Sequence, residues 1–202
     1  MLAKKLEPEP LPDLWFPLTT DTVDIISGMV GNIVGNVSFS QEGAFFEGVR
    51  NNFIRYLNFN LLNQYEPFTL EYELRNISPE PTWGHKMSVE FGLNNGMNGI
   101  YIYSTKSYSN AVLIANSYNT NFQYNLGSID LSVFRKEKII WNANTQKFLF
   151  KLNGKSIIAY DGGGGWPVSL KEGMYFGAAS DGWDYQVGYL RNVKIWLNKI
   201  VN

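Results

Sequence analysis

The chain has 202 residues, enough for one ordinary domain, and at 45% hydrophobic and 17% charged it has too much apolar material for a charge-driven disordered chain. With 17 basic residues against 18 acidic ones the formal net charge is −1, so nothing supplies the electrostatics of nucleic acid binding. The absence of cysteine excludes disulfide staples, thiolate zinc sites and thiol nucleophiles, and a single histidine, His85, excludes a histidine-rich metal centre.

The first residues, Met1 to Asp13, carry two lysines with no apolar run behind them, which is not the pattern of a secretory leader. No later stretch reaches the ~18 apolar residues that span a bilayer. The expectation is a protein made and left in a cytoplasm, without a membrane partner. Pro8, Pro10 and Pro12 alternate with other residues, which favours an extended polyproline-like arm over residues 1–13. Leu2, Leu6 and Leu11 give that arm something to bury, and a neighbouring subunit is one place to bury it.

From Leu14 onward the hydrophobic pattern has a period of two. Segments 44–47 and 53–57 read as short strands. In Thr69-Leu70-Glu71-Tyr72-Glu73-Leu74-Arg75, the residues Leu70, Tyr72 and Leu74 take one face and the polar residues the other, a half-buried strand. Met87, Val89, Phe91 and Leu93 repeat the alternation, and further strands are expected at 99–103, 111–116 and 138–141. Between Lys147–Leu152 and Lys155–Tyr160 stands Asn153-Gly154, a pair suited to a hairpin turn because both central residues need positive φ. Segment 173–178 and the alternating Val193, Ile195 and Leu197 close the chain. The only helix-compatible stretch is the short Ser128–Lys136. Turn-forming clusters such as Asp161-Gly162-Gly163-Gly164-Gly165 separate the runs. Many short strands with almost no helix predict an all-β fold, a two-sheet antiparallel β-sandwich of jelly-roll type, as one domain over 14–202.

In order and spacing these pieces resemble the laminin G-like, concanavalin A-type jelly rolls. The matching segments are Leu14–Leu18 with Asp24–Gly28, Gly43–Gly48, Pro67–Leu74, the Asn153-Gly154 hairpin, Tyr175–Ala178 and Gly188–Trp196. The resemblance implies a sandwich of roughly 12–14 strands. Members of that group bind glycans, proteins or lipids, and some are hydrolases, so the fold alone does not decide function. The polysaccharide hydrolases among them use paired carboxylates on one strand. Here Glu71, Glu73 and Glu90 are the nearest counterparts, without the central Asp of the motif; polar-face residues are the expected reading of all three.

Aromatics in turn-rich segments are the better candidates for a binding site. Trp83 and His85 lie in Pro81-Thr82-Trp83-Gly84-His85, Trp166 follows four glycines, and Asp181, Trp183 and Tyr185 lie in Ser180–Tyr185. Indole and phenol rings offer flat apolar faces to sugar C–H groups, and nearby Asn and Asp supply donors and acceptors for hydroxyls. The alternative is that the tryptophans plug the ends of the sandwich. No catalytic constellation is expected, since a lone histidine builds no triad. No cofactor is expected either; Asp161, Asp181 and Asp184 are the only candidates for a calcium site, and they lack an EF-hand spacing. A recognition fold without a leader points to a bacteriophage virion protein: a capsid decoration, head-fibre or tail component. It would bind cell-surface polysaccharide and contact other virion proteins through the arm, and a homo-oligomer fits such an assembly. A purely structural virion role and a glycoside hydrolase are the competing expectations.

Overall fold

A computed structural model describes residues 8–57, 66–77, 89–91, 99–104, 111–117, 120–127, 130, 132–145, 147–161, 173–178 and 187–202. Fifteen strands run through them: β1 Leu14–Phe16, β2 Asn32–Val34, β3 Val37–Ser40, β4 Gly43–Glu47, β5 Phe53–Leu57, β6 Phe68–Asn76, β7 Val89–Phe91, β8 Gly99–Ser104, β9 Ala111–Ser117, β10 Thr120–Gly127, β11 Arg135–Asn142, β12 Lys147–Leu152, β13 Lys155–Asp161, β14 Gly173–Phe176 and β15 Val187–Leu197. No helix occurs among the described residues. The stretch 128–136 is not helical where it is described. Arg135 and Lys136 already belong to β11, and Asp130 Oδ1 accepts from the Ser132 N–H at 2.9 Å, a local bond that competes with helix formation.

The strands form two antiparallel sheets. One has eight strands in the order β13-β12-β11-β6-β15-β4-β3, with β1 also paired to β15; the other has seven in the order β10-β9-β8-β7-β14-β5-β2. The fold is therefore the all-β, two-sheet antiparallel sandwich expected from the alternation. Leu70, Tyr72 and Leu74 of β6 are buried in the core, as their spacing requires. Three rings lock the sheets together: Phe16 from the eight-stranded sheet lies 4.7 Å from Tyr56 and 5.6 Å from Phe176 of the seven-stranded one, edge to face. At the β12–β13 hairpin Asn153 has φ +48° and Gly154 φ +79°, as a two-residue turn of this hand demands. Asn153 also bridges to the neighbouring strand, since its Oδ1 accepts from the Lys136 N–H at 2.9 Å.

β15 is the long spine of its sheet. Its first half pairs with β4 (Tyr189 opposite Phe45) and its second half with β1 (Ile195 opposite Leu14). The change of partner falls at a bulge, where the register against β6 shifts between Arg191 and Lys194 and Asn192 adopts φ +52°. After β1, Asp24 organises the next loop from a fully buried position. Its carboxylate accepts from the N–H groups of Trp15 at 2.5 Å, Ile26 at 3.2 Å and Ser27 at 2.6 Å, and from the Ser27 hydroxyl.

The described part of the arm, residues 8–13, forms no strand and is tied to the rest of the chain. The Trp196 indole N–H donates to Pro10 O at 2.8 Å, the Lys138 ammonium to Glu9 at 2.8 Å, and the Leu197 N–H to Asp13 Oδ2 at 2.8 Å. Polar groups that could have engaged a neighbour are thus spent within the chain, while Leu11 stays 80% exposed.

Candidate ligand-binding surface

Trp83, His85, Trp166, Asp181, Trp183 and Tyr185 lie outside the described residues. Their flanks do not. Segment 78–88, with Trp83 and His85, leaves from Ile77 just after β6 and rejoins at Val89 in β7. Segment 179–186, with Asp181, Trp183 and Tyr185, leaves from Ala178 and rejoins at Val187 in β15. These four anchors share one end of the sandwich. The Ile77 N–H donates to Val187 O at 3.2 Å, and Val89 stands opposite Phe176. The two sheets meet there closely, since a Cβ on Gly177 would lie 2.2 Å from the Phe46 ring; within the eight-stranded sheet, one on Gly48 would lie 2.0 Å from the Val187 side chain. Segment 162–172, with Trp166, is anchored at the opposite end, between Asp161, which pairs with Lys147, and Gly173, which pairs with Leu57. The fold brings together the flanks of the first two groups and separates the third.

Beside these anchors the outer face of the eight-stranded sheet carries a platform of rings and charges. Alternation along β4, β6 and β15 turns Phe45, Arg75 and Tyr189 outward, opposite the core faces of Ala44, Leu74 and Leu190. Register then lines them up, because Tyr189 pairs with Phe45 on one side and with Arg75 on the other. The Phe45 and Tyr189 ring centroids are 5.0 Å apart. The Arg75 guanidinium carbon sits 4.7 Å from the Tyr189 ring centroid and 4.8 Å from that of Phe134, and Arg191 covers Phe134 at 3.8 Å. Each guanidinium is also held by a carboxylate: Arg75 Nη2 by Glu42 at 2.7 Å, and Arg191 Nε by Glu73 at 2.7 Å. Asn192 Nδ2 donates to the other Glu73 oxygen at 3.3 Å, so the bulge residue helps to fix the pair. The result is a half-exposed surface of flat ring faces with preset donors and acceptors, the chemistry that suits a polyhydroxylated ligand.

Glu71 is not the solvated face residue its alternation suggested. It is 4% exposed, and its two oxygens meet Lys136 at 3.1 Å and Lys138 at 3.0 Å. Burial pushes its carboxyl pKa up, but hydrogen bonds and charge from Lys138 and then Lys136 outweigh that and hold it below the ordinary carboxylate range. A glycosidase acid needs the opposite shift, and Glu73 is likewise committed to Arg191 and Asn192. Glu90 is placed by its backbone, opposite Tyr175 of β14. No group of three or more metal-ligating side chains occurs among the described residues, and Asp181 and Asp184 fall outside them.

Phe45, Phe134, Tyr189, Arg75 and Arg191 were not singled out from the sequence. The available signal was an aromatic or arginine on the polar phase of a period-two strand, as at Tyr189 between Gly188 and Leu190. A separate groove of about 420 Å³ lies toward the opposite end, lined by Ile140, Leu149, Lys147 and Ile200; it is mainly apolar.

No protein-family model matches the sequence, and no curated protein does. Solved structures do resemble the fold. Domain 4 of AbnA, a GH43 extracellular arabinanase from Geobacillus stearothermophilus solved in complex with arabinotriose, is 14% identical with a TM-score of 0.69, and the match covers 96% of each chain. The botulinum neurotoxin serotype G binding domain is 13% identical with a TM-score of 0.68, over 95% of this chain and 48% of that one. The serotype D binding domain is 16% identical with a TM-score of 0.66, over 94% and 49%. The chain therefore spans about half the length of the toxin domains. At these identities the likeness is one of fold, a β-sandwich.

Proposed function

We propose that this chain is a non-catalytic glycan-recognition module. Its ligand would sit at the end of the sandwich where segments 78–88 and 179–186 are anchored, against the outward platform of Phe45, Tyr189, Arg75 and Phe134. The observation that carries the reading is the junction of these parts. Ile77 and Val187 are bonded at 3.2 Å, and Arg75 and Tyr189 lie two residues from them along β6 and β15. The flanks of two ring-bearing segments thus adjoin a ring-bearing sheet face. The fold likeness supports the same reading, since one relative in fold was solved holding arabinotriose and others are receptor binding domains of botulinum neurotoxins. The pairing of Glu71 and Glu73 with cations weighs against a hydrolase that uses them.

The test is glycan-array screening of the full chain, followed by calorimetry on the best hit with Trp83→Ala, Trp183→Ala and Tyr189→Ala. Each variant should lose at least ~10-fold in affinity while its circular dichroism stays that of the parent. A flat array would leave the purely structural role as the better reading. The placement on a bacteriophage virion, with contacts to other virion proteins, is the remaining part of the proposal; detection of the chain by mass spectrometry in purified particles would support it.

A further inference from the structure

We infer that the glycan recognised at this surface is uncharged. The inference rests on the reading above and concerns the class of ligand. The arginines of the platform and the lysines around Glu71 are already matched by carboxylates of the same chain. Arg75 is held by Glu42 and Arg191 by Glu73, each at 2.7 Å. Lys136 and Lys138 flank Glu71 at 3.1 and 3.0 Å, and Lys138 also holds Glu9 at 2.8 Å. Lys194 stands over the Trp15 ring at 5.0 Å and opposite Glu71 in the register.

A sialic or uronic acid carboxylate would have to displace an internal partner at hydrogen-bonding distance, and it would meet the Glu42 and Glu73 charges at close range. Sugar hydroxyls face no such competition. A guanidinium carries five donors and a carboxylate about four acceptor positions, so each ion pair keeps unused valences of both kinds. The rings at Phe45, Tyr189 and Phe134 supply faces for the apolar side of a pyranose or furanose.

The experiment compares neutral probes (arabino-, xylo- and galacto-oligosaccharides) with acidic ones (sialyllactose and oligogalacturonate) on the full chain, at about 50 and about 500 mM NaCl. Neutral hits whose affinity changes less than ~2-fold with salt support the inference. Glu42→Gln, at a half-exposed position, should then gain binding to oligogalacturonate by freeing Arg75. Preference of the parent chain for acidic probes, with affinity falling steeply as salt rises, would overturn the inference and leave glycan recognition standing. Absence of binding to either set would remove the glycan reading itself, and the charge class with it.

Discussion

Replacing Asp24 is expected to cost more stability than any surface change of similar size. The side chain is fully buried and receives four hydrogen bonds: from the N–H groups of Trp15, Ile26 and Ser27 and from the Ser27 hydroxyl. Hydrogen bonds to a charged acceptor contribute about 1.5–3 kcal/mol each when fully protected from water. Ile26 and Ser27 lie at an exposed tip, where water replaces most of what is lost, so they are counted at the lower limit or below. Trp15 belongs to β1, and its N–H has no equivalent substitute. Asp24→Ala should therefore cost about 3–5 kcal/mol, and Asp24→Asn about 2, because the amide keeps one acceptor oxygen but turns a donor toward Ser27. Urea denaturation followed by tryptophan fluorescence measures the loss. Hydrogen exchange at the Trp15 and Ser27 amides locates it. A cost below about 1 kcal/mol for Asp24→Ala would refute the view that this carboxylate holds β1 to the loop.

Four further outcomes test other parts of the fold. Glu71 has a lowered pKa, so its contribution is complete above its ordinary value of 4.5 and fades as pH falls through the lower folded-state value; the stability gap between the parent chain and Glu71→Gln, from denaturant midpoints, should be widest at neutral pH and shrink in acid. Burial first, then the charges of Asp24 and Asp21, push the Tyr56 phenol well above its ordinary 10.0, so alkaline titration of stability should show a loss beginning near that value, absent in Tyr56→Phe. Gly188→Ala would bring a Cβ to 2.0 Å from Arg75 O at φ +143° and should cost at least about 3 kcal/mol by thermal melting, whereas Gly154→Ala, with nothing within 4 Å, should cost only about 1 kcal/mol of turn strain. Asn52 is 1% exposed and neither amide atom has a hydrogen-bond partner among the described residues; Asn52→Leu should raise the melting free energy by about 1 kcal/mol, and a large loss would mean that the amide is satisfied in solution by a group it needs.

If the proposed recognition role holds, its binding surface is assembled from parts far apart in the chain. Phe45, Arg75, Phe134 and Tyr189 come from four different stretches and meet only because β15 lies between β4 and β6. Single substitutions on the platform should therefore perturb one another. The Tyr189→Ala and Arg75→Ala effects on affinity are expected to be non-additive in a double-mutant cycle.

Local steric rules made much of the architecture readable from the residues alone. Leu70, Tyr72 and Leu74 had to share a face because successive side chains on a strand point to opposite sides, and Asn153-Gly154 had to turn because few other pairs tolerate two positive φ angles. Such rules act over a handful of neighbouring atoms and so leave their mark in short stretches of sequence. They were silent on β2 and β3, whose three and four residues are too few to show a period, and on β10. Only the packed chain decides which distant strands become neighbours. Leu14 meets Ile195, the flanks of Trp83 and Trp183 meet through Ile77 and Val187, and Glu71 is enclosed by two lysines instead of facing water. Each of these depends on the free energy of burying whole faces against each other, a sum over the entire molecule that no local motif records.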